Sequence, residues 1–131
     1  MTNYFEKLKL LSTKAYAPYS NFHVSAICLL ADGTEVKGVN IENAAYSVTI
    51  CAERTCLAQV YTLGYQKKDI IKFFLYTDSN QQGSPCGTCR QFLWELLGHD
   101  VPIEIYNQKG DSYVTTMQDL LPYGFTKEDL E

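Results

Sequence analysis

The sequence contains no apolar run that approaches the ~20 residues a membrane-spanning helix needs, so a bilayer is not an expected partner. It is also short of basic charge. Eleven Lys and Arg stand against fifteen Asp and Glu, the formal charge is −4, and no basic run is longer than Lys67-Lys68. A protein that tracks phosphate backbones carries a basic patch or stripe, so nucleic acid is excluded as the expected partner and a small, weakly charged ligand is favoured. Histidine is scarce, with only His23 and His99, so a metal site would have to lean on thiolates. The opening Met1-Thr2-Asn3-Tyr4-Phe5-Glu6-Lys7 lacks the basic stretch and apolar core of an export signal, which makes the cytoplasm the expected location.

What is present suits one domain across residues 1–131, large enough to bury a core without disulfides. The five cysteines, Cys28, Cys51, Cys56, Cys86 and Cys89, are odd in number. With no export signal, they point to metal binding or catalysis rather than to a disulfide scaffold.

Periodicity lays out the chain. Phe5, Leu8, Leu11 and Ala15 predict a helix over 4–16, capped by Asn3 and stopped before Pro18. Val24–Leu30 and Glu35–Ile41 read as two strands joined at Asp32-Gly33. A helix over 50–63 closed by Gly64, a buried strand over Ile70–Tyr76 and a polar loop over 78–85 follow. A third helix runs from near Cys86 to Gly98, with Phe92, Leu93, Leu96 and Leu97 as its apolar face. Val101–Tyr106 and 112–115 are separated by a connection too short for a parallel crossover, so they form an antiparallel hairpin. A short helix near 117–121 closes the pattern. The expected fold is α/β, a three-layer α/β/α domain with a mixed five-stranded sheet whose last two strands are that hairpin.

Two motifs carry the chemistry: Cys51-Ala52-Glu53-Arg54 and Pro85-Cys86-Gly87-Thr88-Cys89-Arg90. A Cys-x-x-Cys pair at a helix start puts two sulfurs on one side, and a third thiolate from another helix start makes three ligands. Zinc takes four, so one position stays open, which separates a catalytic site from a closed structural one. Helix N-termini favour thiolate over thiol. Three thiolates leave the zinc centre at formal −1, and Arg54 is the expected offset. Glu53, two positions after a ligand, can approach the open position and move protons.

These residues resemble the small homotetrameric zinc-dependent cytidine deaminases. Ala17-Pro18-Tyr19-Ser20-Asn21-Phe22, Asn40-Ile41-Glu42-Asn43-Ala44-Ala45-Tyr46-Ser47, the two zinc motifs and Leu120-Leu121-Pro122-Tyr123-Gly124-Phe125 look like that family's segments, in order. The resemblance implies the cytidine-deaminase fold, one Zn²⁺ per subunit on Cys51, Cys86 and Cys89, and Glu53 as the catalytic proton carrier. It implies that Asn40 and Glu42 hold the ribose 3′-hydroxyl and that Phe22 packs on the pyrimidine. The Ala52 N–H would meet the base carbonyl and the Ser84 carbonyl the leaving amine. Tyr46 and Phe125 would complete a neighbouring subunit's pocket in a homotetramer with shared active sites. The implied reaction replaces the C4 amine of cytidine and 2′-deoxycytidine by oxygen and releases ammonia, in pyrimidine salvage. Ser25, Cys56 and the Tyr123-Gly124 pair depart from the family pattern and put only local packing in doubt.

Rival readings are weaker. A blasticidin-type deaminase would not keep Asn40-Ile41-Glu42-Asn43. A deoxycytidylate deaminase would use a histidine ligand and a phosphate-binding group, and a nucleic-acid-editing enzyme a basic groove. A non-catalytic zinc scaffold needs a fourth ligand from Cys28 or Cys56, which read as core thiols. His23 and His99 read as surface or hydrogen-bonded residues, and Arg90 and Gln91 as supports of the third helix or contacts to a neighbour.

Overall fold

The computed structural model describes residues 3–81 and 83–130. In chain order the elements are α1 (Tyr4–Ser12), β1 (Val24–Leu30), β2 (Glu35–Val39), α2 (Ala52–Thr62), β3 (Ile70–Thr77), α3 (Gly87–Leu96), β4 (Ile103–Tyr106), β5 (Ser112–Thr115) and α4 (Met117–Leu120), with single 3-10 turns between and after them. The sheet order is β2-β1-β3-β4-β5. Within this sheet the β3–β4 pair is parallel and the other three pairs are antiparallel, β4 and β5 forming the expected hairpin. Gly33, at φ +90, closes the first hairpin in a conformation that glycine alone adopts freely.

The sheet separates two apolar clusters. On one face α1 packs Leu8 against Ile27, Phe74 and Tyr76. On the other, α2 and α3 bring Leu57, Val60, Leu93 and Leu97 down on Ala26, Leu30, Phe73, Leu75, Ile103 and Ile105. The layering is therefore helix, sheet, helices. Cys28 and Cys56 are both fully buried in the second cluster, as core thiols should be. Gly38 of β2 lets α2 approach closely, since a Cβ there would lie 2.5 Å from the Cys56 nitrogen and 2.7 Å from the Ala52 carbonyl oxygen. This contact fixes the start of α2 against the sheet.

Several boundaries differ from expectation, each because a backbone group finds a partner outside its own element. The first helix ends at Ser12 rather than 16. Beyond it the Tyr16 N–H donates to the Asn40 carbonyl and the Tyr16 carbonyl accepts from Glu42, which pulls the chain out of the helix. The second helix starts at Ala52 rather than 50 because Ile50 exchanges two hydrogen bonds of 2.9 Å with Ile41. That pairing also ends β2 early, at Val39. The strand expected from Val101 begins at Ile103, after a turn in which Val101 donates to the Gly98 carbonyl. On α3, Cys89, Leu93 and Trp94 are buried, while Phe92 and Leu96 pack only partly against the core.

Candidate active site

Both cysteine motifs sit where helices begin, beyond the ends of β2 and β3, which run in the same direction. Cys51 is the N-cap of α2 and Cys86 the N-cap of α3, each with extended backbone, and neither uses its side chain to cap the helix. Cys89 lies on the first turn of α3. The three sulfurs lie within 4.8 Å of one another, and the Cys86 and Cys89 sulfurs are 3.4 Å apart. Zinc–sulfur bonds of about 2.3 Å in tetrahedral geometry put sulfurs about 3.8 Å apart, so adjustments of about an ångström or less separate this cluster from a zinc site. Cys28 and Cys56 stand outside the cluster, and among the described residues no fourth amino-acid donor joins it.

The thiols share protons unequally. The Cys89 thiol bonded to Cys51, with Arg54 beside it, holds Cys51 down at about 5 in spite of its burial. The same bond to Cys51, followed by burial, drives Cys89 far up. Arg54 places Nη2 3.9 Å from the Cys51 sulfur and donates to the Thr49 carbonyl at 3.0 Å, so the expected positive charge is beside the sulfurs. Arg54 Nε is buried without a partner among the described residues.

Glu53 is only 4% exposed. Burial pushes its carboxyl up to about 7, with the Cys51 charge adding to the rise and its own backbone N–H opposing it. A carboxyl poised near neutrality can both accept and return a proton. As the second residue of α2, Glu53 belongs to the turn whose N–H groups, with that of Ala52, have no carbonyl to serve within the helix.

A cavity of about 310 Å³ joins these groups to the rest of the expected site. Cys51, Ala52, Glu53, Ser84 and Cys86 line one part of it, and Phe22, Asn40, Glu42 and Tyr46 another. Cys89 is buried beside the other sulfurs rather than on the wall. Asn40, 8% exposed, accepts from the Val24 N–H at 2.9 Å and donates to the Phe22 carbonyl at 2.8 Å. Its amide nitrogen carries a second hydrogen. Glu42 Oε1 accepts from the N–H groups of Tyr19 at 3.0 Å and Ser20 at 3.1 Å, and Oε2 from the Ser20 hydroxyl. These bonds, the Ser20 hydroxyl first, hold the Glu42 carboxyl below the usual carboxylate range.

Tyr46 and Phe125 are both expected to serve a neighbouring subunit's pocket. Tyr46 lines the cavity of its own chain and is 89% exposed, whereas Phe125 is 52% exposed and does not line it. The Phe125 carbonyl accepts from Gln91 Nε2 at 2.9 Å. Arg90 braces the loop before α3, donating to the Pro85 carbonyl, the Ser84 hydroxyl and the Leu120 carbonyl. Val24, Thr49, Leu75, Thr77 and Gly83 also line the cavity and carry no motif that would have marked them in the sequence. For Leu75 and Thr77 the only signal is their alternation on β3.

Comparison with known proteins agrees with this geometry. The family described as the cytidine and deoxycytidylate deaminase zinc-binding region matches residues 1–104. A cytidine deaminase from Halalkalibacterium halodurans is 42% identical over 116 residues, covering 88% of this chain and 86% of that one. One from Sporosarcina psychrophila is 44% identical over 117 residues, covering 89% and 85%. The crystal structure of cytidine deaminase from Burkholderia pseudomallei superposes with a TM-score of 0.89 at 38% identity, covering 95% of this chain and all of that one.

Proposed function

Since the chain belongs to the zinc-dependent cytidine deaminases, we propose that it converts free cytidine and 2′-deoxycytidine to the uridine nucleosides with release of ammonia. The observation that carries this reading is the meeting, in one cavity, of a three-sulfur cluster, a buried glutamate and the Asn40–Glu42 pair. We assign the roles as follows. Cys51, Cys86 and Cys89 hold one zinc, and Arg54 offsets their charge. When bound, the ion supplies a Lewis acid that brings the pKa of water toward neutrality.

Glu53 takes one proton from the water that adds to C4 and passes it to the ring nitrogen N3. It then takes the second water proton and passes it to the amine. The C4–N bond breaks, ammonia leaves, the C4 carbonyl forms, and Glu53 is again a carboxylate. The Ala52 N–H orients the base carbonyl, the Ser84 carbonyl receives the amine, and Phe22 packs on the ring. Asn40 and Glu42 bind the ribose 3′-hydroxyl, so an analogue that lacks this group forfeits those contacts.

Residues 1–131 act as one domain in this reading, and the cytoplasm is the expected location, as pyrimidine salvage requires. Tyr46, Val48, Ile50, Tyr123 and Phe125 are large exposed apolar side chains. They support a homotetramer in which Phe125 reaches a neighbour's cavity.

The test is loss of ultraviolet absorbance with cytidine, deoxycytidine, cytosine and cytidine monophosphate, with and without a chelator. Among the described residues, Glu42 and Glu53 are the carboxylates of the wall and no Lys or Arg lines it. The monophosphate is therefore expected to lose about a hundredfold in kcat/KM, because its phosphate would meet carboxylates and no cation. Equal turnover of nucleoside and monophosphate, or activity that survives chelation, would overturn the reading.

A further inference from the structure

His23 stands between Phe22 and Val24, both of which line the cavity, but does not line it itself. Its Nδ1 lies 2.9 Å from Asp78 Oδ2, and its backbone N–H approaches the same oxygen at 3.4 Å. The Asp78 N–H donates back to the His23 carbonyl at 3.0 Å. A carboxylate partner selects the ring form that carries its hydrogen on Nδ1. Together these bonds extend the β1–β3 pairing one step beyond Val24 and Thr77.

The segment held this way needs holding. Asn21 has φ +57, a left-handed conformation that a non-glycine residue keeps only where its surroundings impose it. Phe22 follows at once. Its N–H donates to the Ser20 hydroxyl at 3.0 Å, and its carbonyl accepts from Asn40. The Val24 N–H then donates to the other side-chain atom of Asn40. The carboxamide of Asn40 is thus clamped by the two peptide groups that flank His23, so any slip of His23 moves both jaws.

We propose that the His23–Asp78 pair is a positioning device for nucleoside binding, fixing the peptide groups that orient Asn40 and the ring of Phe22 without touching substrate. The proposal rests on the assignment of Asn40 and Phe22 to nucleoside binding. Both partners are about one-third exposed, and a hydrogen-bonded pair in contact with solvent contributes little to global stability. Its loss should therefore act on the local geometry of the wall, and so on KM, more than on folding or on the proton-transfer steps at Glu53.

The test is kcat and KM for cytidine in His23→Ala, His23→Asn, Asp78→Ala and the His23→Ala/Asp78→Ala double variant. Lys7→Ala, which breaks the 2.7 Å pair with Glu35, serves as a control away from the cavity wall. The expected result is a rise in KM of about tenfold in His23→Ala and Asp78→Ala, with kcat within about twofold of wild type. The double variant should show no further rise, because both changes remove the same tie. His23→Asn, which keeps a donor near the Nδ1 position, should recover most of the affinity, and Lys7→Ala should leave KM unchanged.

Amide hydrogen exchange over residues 20–24 of the zinc-loaded protein gives a second readout that needs no substrate. Exchange should quicken in His23→Ala and Asp78→Ala and return in His23→Asn. If His23→Ala fails to fold, Asp78→Ala, which removes the acceptor from the other side of the tie, carries the same expectation. An unchanged KM, a fall in kcat alone, an equal effect of Lys7→Ala or unchanged exchange would each overturn the proposal. A wild-type protein inert toward cytidine would refute the substrate assignment instead, and the exchange readout would still decide whether the tie exists.

Discussion

Glu53→Gln is expected to keep its zinc and to lose about a thousandfold or more in kcat, roughly 4 kcal/mol of barrier. The substitution conserves size, so the packing of the first turn of α2 should survive in a residue that is 4% exposed. What disappears is the ability to accept a proton and give it back. Glu53 is suited to that task because burial has pushed its carboxyl up to about 7, close to working pH. A carboxylate with an ordinary pKa would accept the proton less readily from water and would lose it to solvent rather than keep it for the substrate. Metal content by elemental analysis and turnover by ultraviolet absorbance check the two halves of this expectation separately. A variant that retains zinc and turns over at the wild-type rate would remove Glu53 from the chemistry.

Removing the metal should have an effect of similar size. A chelator, or Cys89→Ser, is expected to abolish measurable deamination, and zinc restored to the chelated wild type should recover it. Cys89 is fully buried and its thiol is pushed far up while it is bonded to Cys51, so in the metal-free protein the cluster retains protons that zinc must displace. Zinc uptake should accordingly release protons and strengthen as pH rises. Because the ion binds the folded cluster, its loss should also lower the melting temperature. Zinc content, rate and melting curve measured on the same sample would show whether the three move together. Full activity in a sample with no zinc would contradict this expectation.

The chemistry was more legible in the sequence than the details of the frame. Cys51, Cys86 and Cys89 could be named because metal ligation restricts residue type and spacing, and the structure brings those three sulfurs within 4.8 Å. The strand pattern was legible for a similar reason, since the short link between β4 and β5 leaves only a hairpin. Helix ends were less so. Ser12 and Ala52 bound their helices because Tyr16 and Ile50 pair with backbone around Ile41, and such pairings between distant segments leave no local mark in composition. The same limit hid the partners of Arg90, whose bonds to Ser84, Pro85 and Leu120 span two loops. It hid the partner of His23 as well, since Asp78 lies 55 positions away.

Everything in the mechanism depends on an ion held by three sulfurs with one position left for water. The X-ray absorption spectrum of zinc in the purified chain counts those neighbours directly. The expected spectrum has three sulfurs at about 2.3 Å and one oxygen or nitrogen at about 2.0 Å. A shell of four sulfurs, or a histidine nitrogen in place of one of the three, would contradict the site and the reaction built on it.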